Sequence, residues 1–266
     1  MVGLSCRFQV VVICSFFLYK LDQVAAFGRV SAAAAVADVV LKDYAKEVSG
    51  LFGNMRLPAS ILGGSILGLG VSSAPKVEES DSRFMKLFKR MNLLLGIASF
   101  LNEIVAITYS SIAINKLSEV TAHELSDSLT NYVAANCKLA WLGTNVHFLF
   151  GLFGFGLLVG SKAFFLYGRK IGNIAACWSI AATLQCLSVV NQGIAEGGGS
   201  GRIGDSFGSN IVSLTIEYAR LLFSNAWNNR ATLSIMAIAL MTYSFWLVVK
   251  FIMDSRTNDV GTQKVE

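Results

Sequence analysis

Four stretches of about twenty mostly apolar residues, at 91–112, 140–160, 171–190 and 231–252, constrain this chain more than anything else in it. At a rise of about 1.5 Å per residue, each reaches across a hydrocarbon layer about 30 Å thick. No water is available in such a layer to satisfy backbone N–H and C=O groups. A helix satisfies them within the segment and is the conformation open to an isolated apolar stretch. The fold class that follows is all-α: a polytopic membrane helix bundle of four to five transmembrane helices with amphipathic interfacial helices. The fifth candidate, 57–72, is shorter and carries Gly63, Gly64, Gly68 and Gly70. It reads either as a span with little margin or as a re-entrant or buried hairpin. Composition agrees, with 54% hydrophobic residues against 15% charged, where soluble domains carry about 25% charged residues.

A net charge of +5 raises the question of nucleic acid, and the placement of the charges answers it. Basic residues gather beside apolar segments: Lys76, Arg83, Lys86, Lys89 and Arg90; then Lys162, Arg169 and Lys170; then Lys250, Arg256 and Lys264. The connection between 112 and 140 instead carries Glu119, Glu124 and Asp127 with only Lys116 and Lys138. Dense basic loops on alternate connections follow the positive-inside rule. They put 73–90, 161–170 and the C-terminal tail on one side and 113–139 and 191–230 on the other. The expected partner is therefore the lipid bilayer, together with other subunits of a membrane complex, and no nucleic acid. The expected domains are a leader at 1–26, an amphipathic segment at 27–56, the multi-span domain at 57–253 and a polar tail at 254–266.

The N-terminus has the parts of a signal peptide. Arg7 precedes a twelve-residue apolar run from Phe8 to Tyr19, too short to span, and Val24-Ala25-Ala26 supplies small residues for cleavage. The junction Ala26-Phe27, followed by Arg29, Ser31 and a run of alanines, resembles the bipartite plastid presequences of algae with secondary, red-type plastids. That resemblance implies delivery to a plastid membrane; the alternative is another endomembrane. The sequence departs from that pattern in lacking a nearby proline and in bringing Asp38 and Asp43 close behind. Over 30–52, apolar residues recur at three- and four-residue steps with charges on the other faces, as in a surface-lying helix. The stretches 117–133 and 209–227 also read as interfacial, the latter placing Ile211, Leu214, Tyr218, Leu221 and Leu222 on one side.

Few residues inside the spans can carry chemistry. Glu103 falls near the middle of 91–112 beside Asn102, and His147 lies in the first half of 140–160 beside Asn145 and Thr144. A mid-span acid costs roughly 2.5–3.5 kcal/mol on insertion scales, so Glu103 should face the bundle and find a partner, His147 or Asn145. Asn92, Ser99 and Ser110 lie close to whole turns from it and make that face polar. The candidate intramembrane polar pair is thus Glu103 and His147, with Asn102 and Asn145 beside them. It reads either as a register-fixing hydrogen-bonded pair, as a proton relay, or as a metal ligand of a haem or chlorophyll. Bis-histidine haem ligation would also need His123, which falls in a loop.

Other motifs point to no reaction. Gly199-Ser200-Gly201-Arg202-Ile203-Gly204 matches GxGxxG but follows an apolar span rather than a strand, and reads as a polar linker. Cys6, Cys14, Cys137, Cys177 and Cys186 show no CxxC spacing and read as buried thiols. No catalytic, cofactor or metal residues are assigned, and no P-loop, GxSxG or HExxH motif occurs. The small-residue steps Ala59/Gly63, Gly64/Gly68, Gly156/Gly160 and Ala175/Ser179/Thr183 favour close helix packing. The expected function is a non-catalytic subunit, scaffold or assembly factor. A small-solute or proton-coupled transporter using Glu103 and His147 is the alternative, and a membrane enzyme acting on a lipid or quinone comes third.

Overall fold

A computed structural model describes residues 41–119, 125–196, 210–228 and 231–261, with the backbone alone at 191–196 and 254–261. The leader at 1–26, the Ala26-Phe27 junction, the surface helix up to residue 40, His123 and the stretch Gly199 to Gly204 lie outside the described residues.

Six helices make up the described structure. They are α1 (Ala45–Ile66, extended by a wider π turn over Leu67–Ser72), α2 (Arg83–Glu119), α3 (Leu129–Asn136), α4 (Lys138–Glu196), α5 (Ile211–Asn228) and α6 (Thr232–Gly261). One isolated antiparallel bridge, Lys42 to Ser126, ties the entry of α1 to the segment before α3. Four helices, α1 with its π turn, α2, α4 and α6, are long and apolar enough to cross a membrane. At about 1.5 Å per residue, the 37 residues of α2 reach farther than a hydrocarbon layer is thick.

α1 changes how the glycine-rich stretch is understood. The helix crosses residues 56 and 57 without a break and carries Pro58 inside it. The stretch 57–72 is therefore the distal part of a continuous 28-residue helix and forms neither a re-entrant loop nor a hairpin. The expected boundary between 56 and 57 falls inside this helix. Proline removes one intrahelical hydrogen bond but leaves the rest of the ladder intact, so a packed helix can carry it. Ser73 ends the segment, its backbone N–H and its hydroxyl both donating to the Gly68 carbonyl.

α4, 59 residues long, folds back on itself at Gly168, where φ is 77° and ψ is −177°. That combination is essentially confined to glycine. The two arms run antiparallel: Gly160 lies against Ala176, and Gly156 against Thr183. The expected spans 140–160 and 171–190 are these two arms, and their connection shrinks to Gly168, because helix continues through residues taken for a loop.

Hydrogen bonds show which segments share an end of the bundle. At one end the Lys162 ammonium donates to the Ser73 carbonyl, and Lys89 pairs with Asp81 at 2.6 Å. At the other, Lys116 donates to the Asn136 carbonyl and Lys138 pairs with Glu217 at 2.9 Å. Loops 73–90 and 161–170 thus meet at one end, and the segment around α3 meets α5 at the other.

The apolar core sits at the α3 and α5 end. Val48 and Phe52 of α1, Ala113 and Leu117 of α2, Tyr132 of α3, Leu142 of α4 and Leu214 of α5 form one buried cluster. Phe52 packs edge-on against Trp141, with ring centroids 5.6 Å apart. α3 is short but well started: Ser128 caps it by accepting from the Asn131 N–H. Of the two stretches expected at the interface, the first is split between the end of α2 and α3. The second is α5, which buries Leu214 and Tyr218 and leaves Trp227 exposed.

α6 stands apart. Between 22% and 28% of the most apolar stretch of each of the other three long helices is buried, against 0% for α6. Its helix also runs past residue 253 to Gly261, into what the sequence alone marks as a polar tail.

Candidate functional site

α1, α2 and the first arm of α4 meet around Glu103. α2 turns Asn92, Ser99, Glu103, Ala106 and Ser110 inward, and all five are buried. This is the face that whole-turn spacing marks as polar, and Glu103 itself has 0% exposure. Glycines face it from both neighbouring helices, and Gly151 makes room for its side chain. A Cβ on Gly63 of α1 would lie 3.4 Å from the Glu103 Cβ, and a Cβ on Gly151 of α4 would overlap the carboxyl. One turn away the same device recurs, with the Ser99 hydroxyl set against Gly154. Glycine serves here because the acid fills the volume that any side chain on the facing helix would take.

The expected partners do not reach it. Both carboxyl oxygens of Glu103 are buried with no hydrogen-bond partner among the described residues. Asn145 donates instead to the Trp141 carbonyl of its own helix, at 2.8 Å. His147 bonds Asn102 through Nδ1 at 2.7 Å and Tyr218 through Nε2 at 2.9 Å. The pairing of Glu103 with His147 or Asn145 is therefore corrected, and the reason is register. Gly151 is the residue of α4 level with Glu103, and His147, four residues earlier, is displaced about 6 Å along the axis. Asn102, about 100° around α2 from Glu103, meets the His147 ring instead.

The His147 cluster is fully used. Asn102 Nδ2 donates to the Ala98 carbonyl at 2.8 Å, which turns Oδ1 toward His147. One set of protons then satisfies every contact: Nδ1–H donates to Asn102, Nε2 accepts from the Tyr218 hydroxyl, and Tyr218 accepts from the Tyr109 hydroxyl at 3.3 Å. The rings reinforce it, with His147 and Tyr218 edge to face at 5.3 Å and Tyr109 against His147 at 6.2 Å. A Cβ on Gly143 would lie 2.7 Å from the Tyr109 ring. This cluster joins α2, α4 and α5. The sequence reading took Tyr218 only as part of an apolar helix face and did not single out Tyr109, because neither has a partner close in sequence.

With both ring nitrogens of His147 engaged by Asn102 and Tyr218, neither faces an open coordination position. Among the described residues, no group of three or more His, Cys, Asp or Glu side chains is placed to hold a metal ion. Cys137 is buried, whereas Cys177 and Cys186 are exposed on the outside of the bundle, so the expectation of buried thiols is corrected for those two. They lie on the second arm of α4, which packs on the first arm through Gly156 and Gly160.

A further feature is an apolar groove of about 520 Å³ between the first half of α2 and both arms of α4. Phe84, Phe88 and Phe164 line it near the basic end, and Asn92, Ser161 and Asn173 are its polar residues. Ser161 donates its hydroxyl to Asn92 Oδ1.

Against family models, curated proteins and solved structures alike, the chain shows no match.

Proposed function

We propose that this chain is a non-catalytic integral membrane protein, a subunit, scaffold or assembly factor of a membrane complex. The observation that carries this reading is α6, whose most apolar stretch has no buried residue while the other long helices each bury part of theirs. Helix association in lipid depends on packing and hydrogen bonds between helices, which α6 lacks over most of its length within this chain. A neighbouring subunit would supply that packing. The engaged His147 cluster fits the same reading, since its hydrogen bonds fix the register of three helices.

Photoreactive residues placed singly at 239, 240, 241 and 242, about 100° apart and so around the whole helix, test it in the native membrane. Adducts to one discrete protein from one face of α6 are expected. Adducts to lipid alone from all faces would refute the reading.

The second reading is a small-solute or proton-coupled transporter. Glu103 favours it, as a mid-bundle acid without a partner among the described residues. Glu103→Gln in reconstituted vesicles separates the two: loss of flux with an intact fold supports transport, and loss of partner association supports the subunit. For location, residues 1–26 read as a cleaved leader directing the chain to an endomembrane or plastid membrane, with the mature chain beginning at or after Phe27. N-terminal sequencing of the purified protein tests this, and recovery of a peptide from residues 1–20 from the mature form would oppose it.

A further inference from the structure

We propose that Glu103 is a proton-binding site at the centre of the bundle: its carboxyl is carried in the neutral, protonated form, and the proton exchanges with water. The inference needs only α1, α2 and α4 and is independent of whether the chain is a subunit or a transporter.

Burial and the lack of a counter-charge carry the inference. Glu103 is 0% exposed, and neither oxygen has a hydrogen-bond partner among the described residues. The helices packed against it present glycine at its level, Gly63 from α1 and Gly151 from α4. Charged side chains are remote along all three. On α2 the nearest are Arg90 and Lys116, thirteen residues away on either side, or about 20 Å at 1.5 Å per residue. On α1, the residues from 57 to 72 include no ionisable group, and Arg56 lies seven residues before Gly63. On α4, His147 is the one titratable or charged residue between Lys138 and Lys162, and its ring is bonded to Asn102 and Tyr218.

A buried carboxylate with no donor or counter-charge among the described residues is costly enough that the group takes up a proton instead. A buried polar group without a partner calls for a specific explanation, and a titrating site is one. The buried residues flanking Glu103 on the same face of α2 are Asn92, Ser99 and Ser110. They are neutral and unable to stand in for a counter-ion.

The experiment uses the full chain in lipid vesicles. Dicyclohexylcarbodiimide, an apolar reagent, adds a carboxylic acid across one C=N bond. The acid's proton goes to nitrogen, the carboxyl oxygen bonds to the central carbon, and nothing leaves. The initial adduct rearranges to a stable acylurea that peptide mapping detects. Labelling of Glu103 by this reagent, and its absence with a water-soluble carbodiimide, is the expected result. In parallel, infrared spectroscopy should show the carbonyl stretch of a protonated carboxyl, shifted in heavy water, retained in Glu103→Asp and lost in Glu103→Gln. The infrared reading on the wild-type chain keeps the test decisive even if Glu103→Gln does not fold. No adduct at Glu103, equal labelling by the water-soluble reagent, or a wild-type spectrum without an exchangeable band would each overturn the proposal.

Discussion

The backbones of α1 and α2 approach closely at Gly70 and Gly96, which gives a sharp mutational test. A Cβ on Gly96 would lie 2.9 Å from the Cα and carbonyl carbon of Gly70 and 3.0 Å from its carbonyl oxygen. These are backbone atoms, which no rotamer change can move aside. Ordinary carbon contacts lie at about 3.5–4.0 Å, so Gly96→Ala must part the two helices locally by about 0.6 Å or more. A radial gap of that size forfeits a quarter to a half of the attraction across the contact, and inserted methyl groups in packed cores cost about 1–3 kcal/mol. Gly64→Ala is the matched control: it lies on α1, and a Cβ there meets nothing within 4 Å. Both changes gain the same helix propensity, and in a bilayer the unfolded reference is itself helical, so that term cancels in the comparison. Gly96→Ala should therefore fall about 1–3 kcal/mol below Gly64→Ala, measured by reversible unfolding in micelles or by steric trapping in bicelles. Equal stability of the two variants, or a more stable Gly96→Ala, would refute the close approach of α1 and α2 at this level.

Three further outcomes follow from particular residues. Gly168→Ala should cost about 1–3 kcal/mol, because φ of 77° with ψ of −177° suits glycine; spin labels at 150 and 189 should report an opened α4 hairpin. Tyr218→Phe should cost about 1–3 kcal/mol by leaving His147 Nε2 and the Tyr109 hydroxyl without their partner, as read by thermal unfolding in detergent. The Lys89 ammonium bonded to it, aided by the Glu78 backbone N–H, holds the Asp81 carboxyl below its ordinary value. A depressed carboxyl contributes stability above its unfolded value and loses it as the pH falls through its folded one, so this tie persists at neutral pH. Amide protection around residues 76–82, taken relative to intrinsic exchange at each pH, should hold at neutral pH and fall only in strong acid; loss of protection already near pH 6 would count against the pair.

How much of this was legible from sequence depended on the range of the interaction. Glu103 could be placed inside the bundle from its own helix, because an acid in an apolar run has one low-cost direction to face and Asn92, Ser99 and Ser110 mark that side. Its partner could not be named, because that depends on how α4 slides against α2. A shift of one turn puts Gly151, not His147, opposite the acid. The His147 partner Tyr218 lies 71 residues away on α5, in a helix whose spacing shows an apolar face but not what it covers. The same limit hid the continuity of α1, where four glycines and Pro58 argue locally for a break and packing against α2 keeps the helix whole.

The sequence by itself determined an all-helical chain, the presence of long apolar helices, the polar face of α2 and the grouping of basic loops, because hydrophobic length, helical periodicity and charge are properties of single segments. Tertiary structure alone decided that the two arms of α4 meet at one glycine, that His147 joins Asn102 and Tyr218, and that Glu103 is enclosed by Gly63 and Gly151. Each of those depends on the relative register of separate helices. Close packing of small residues sets that register through contacts of a few ångström, and no single segment encodes it.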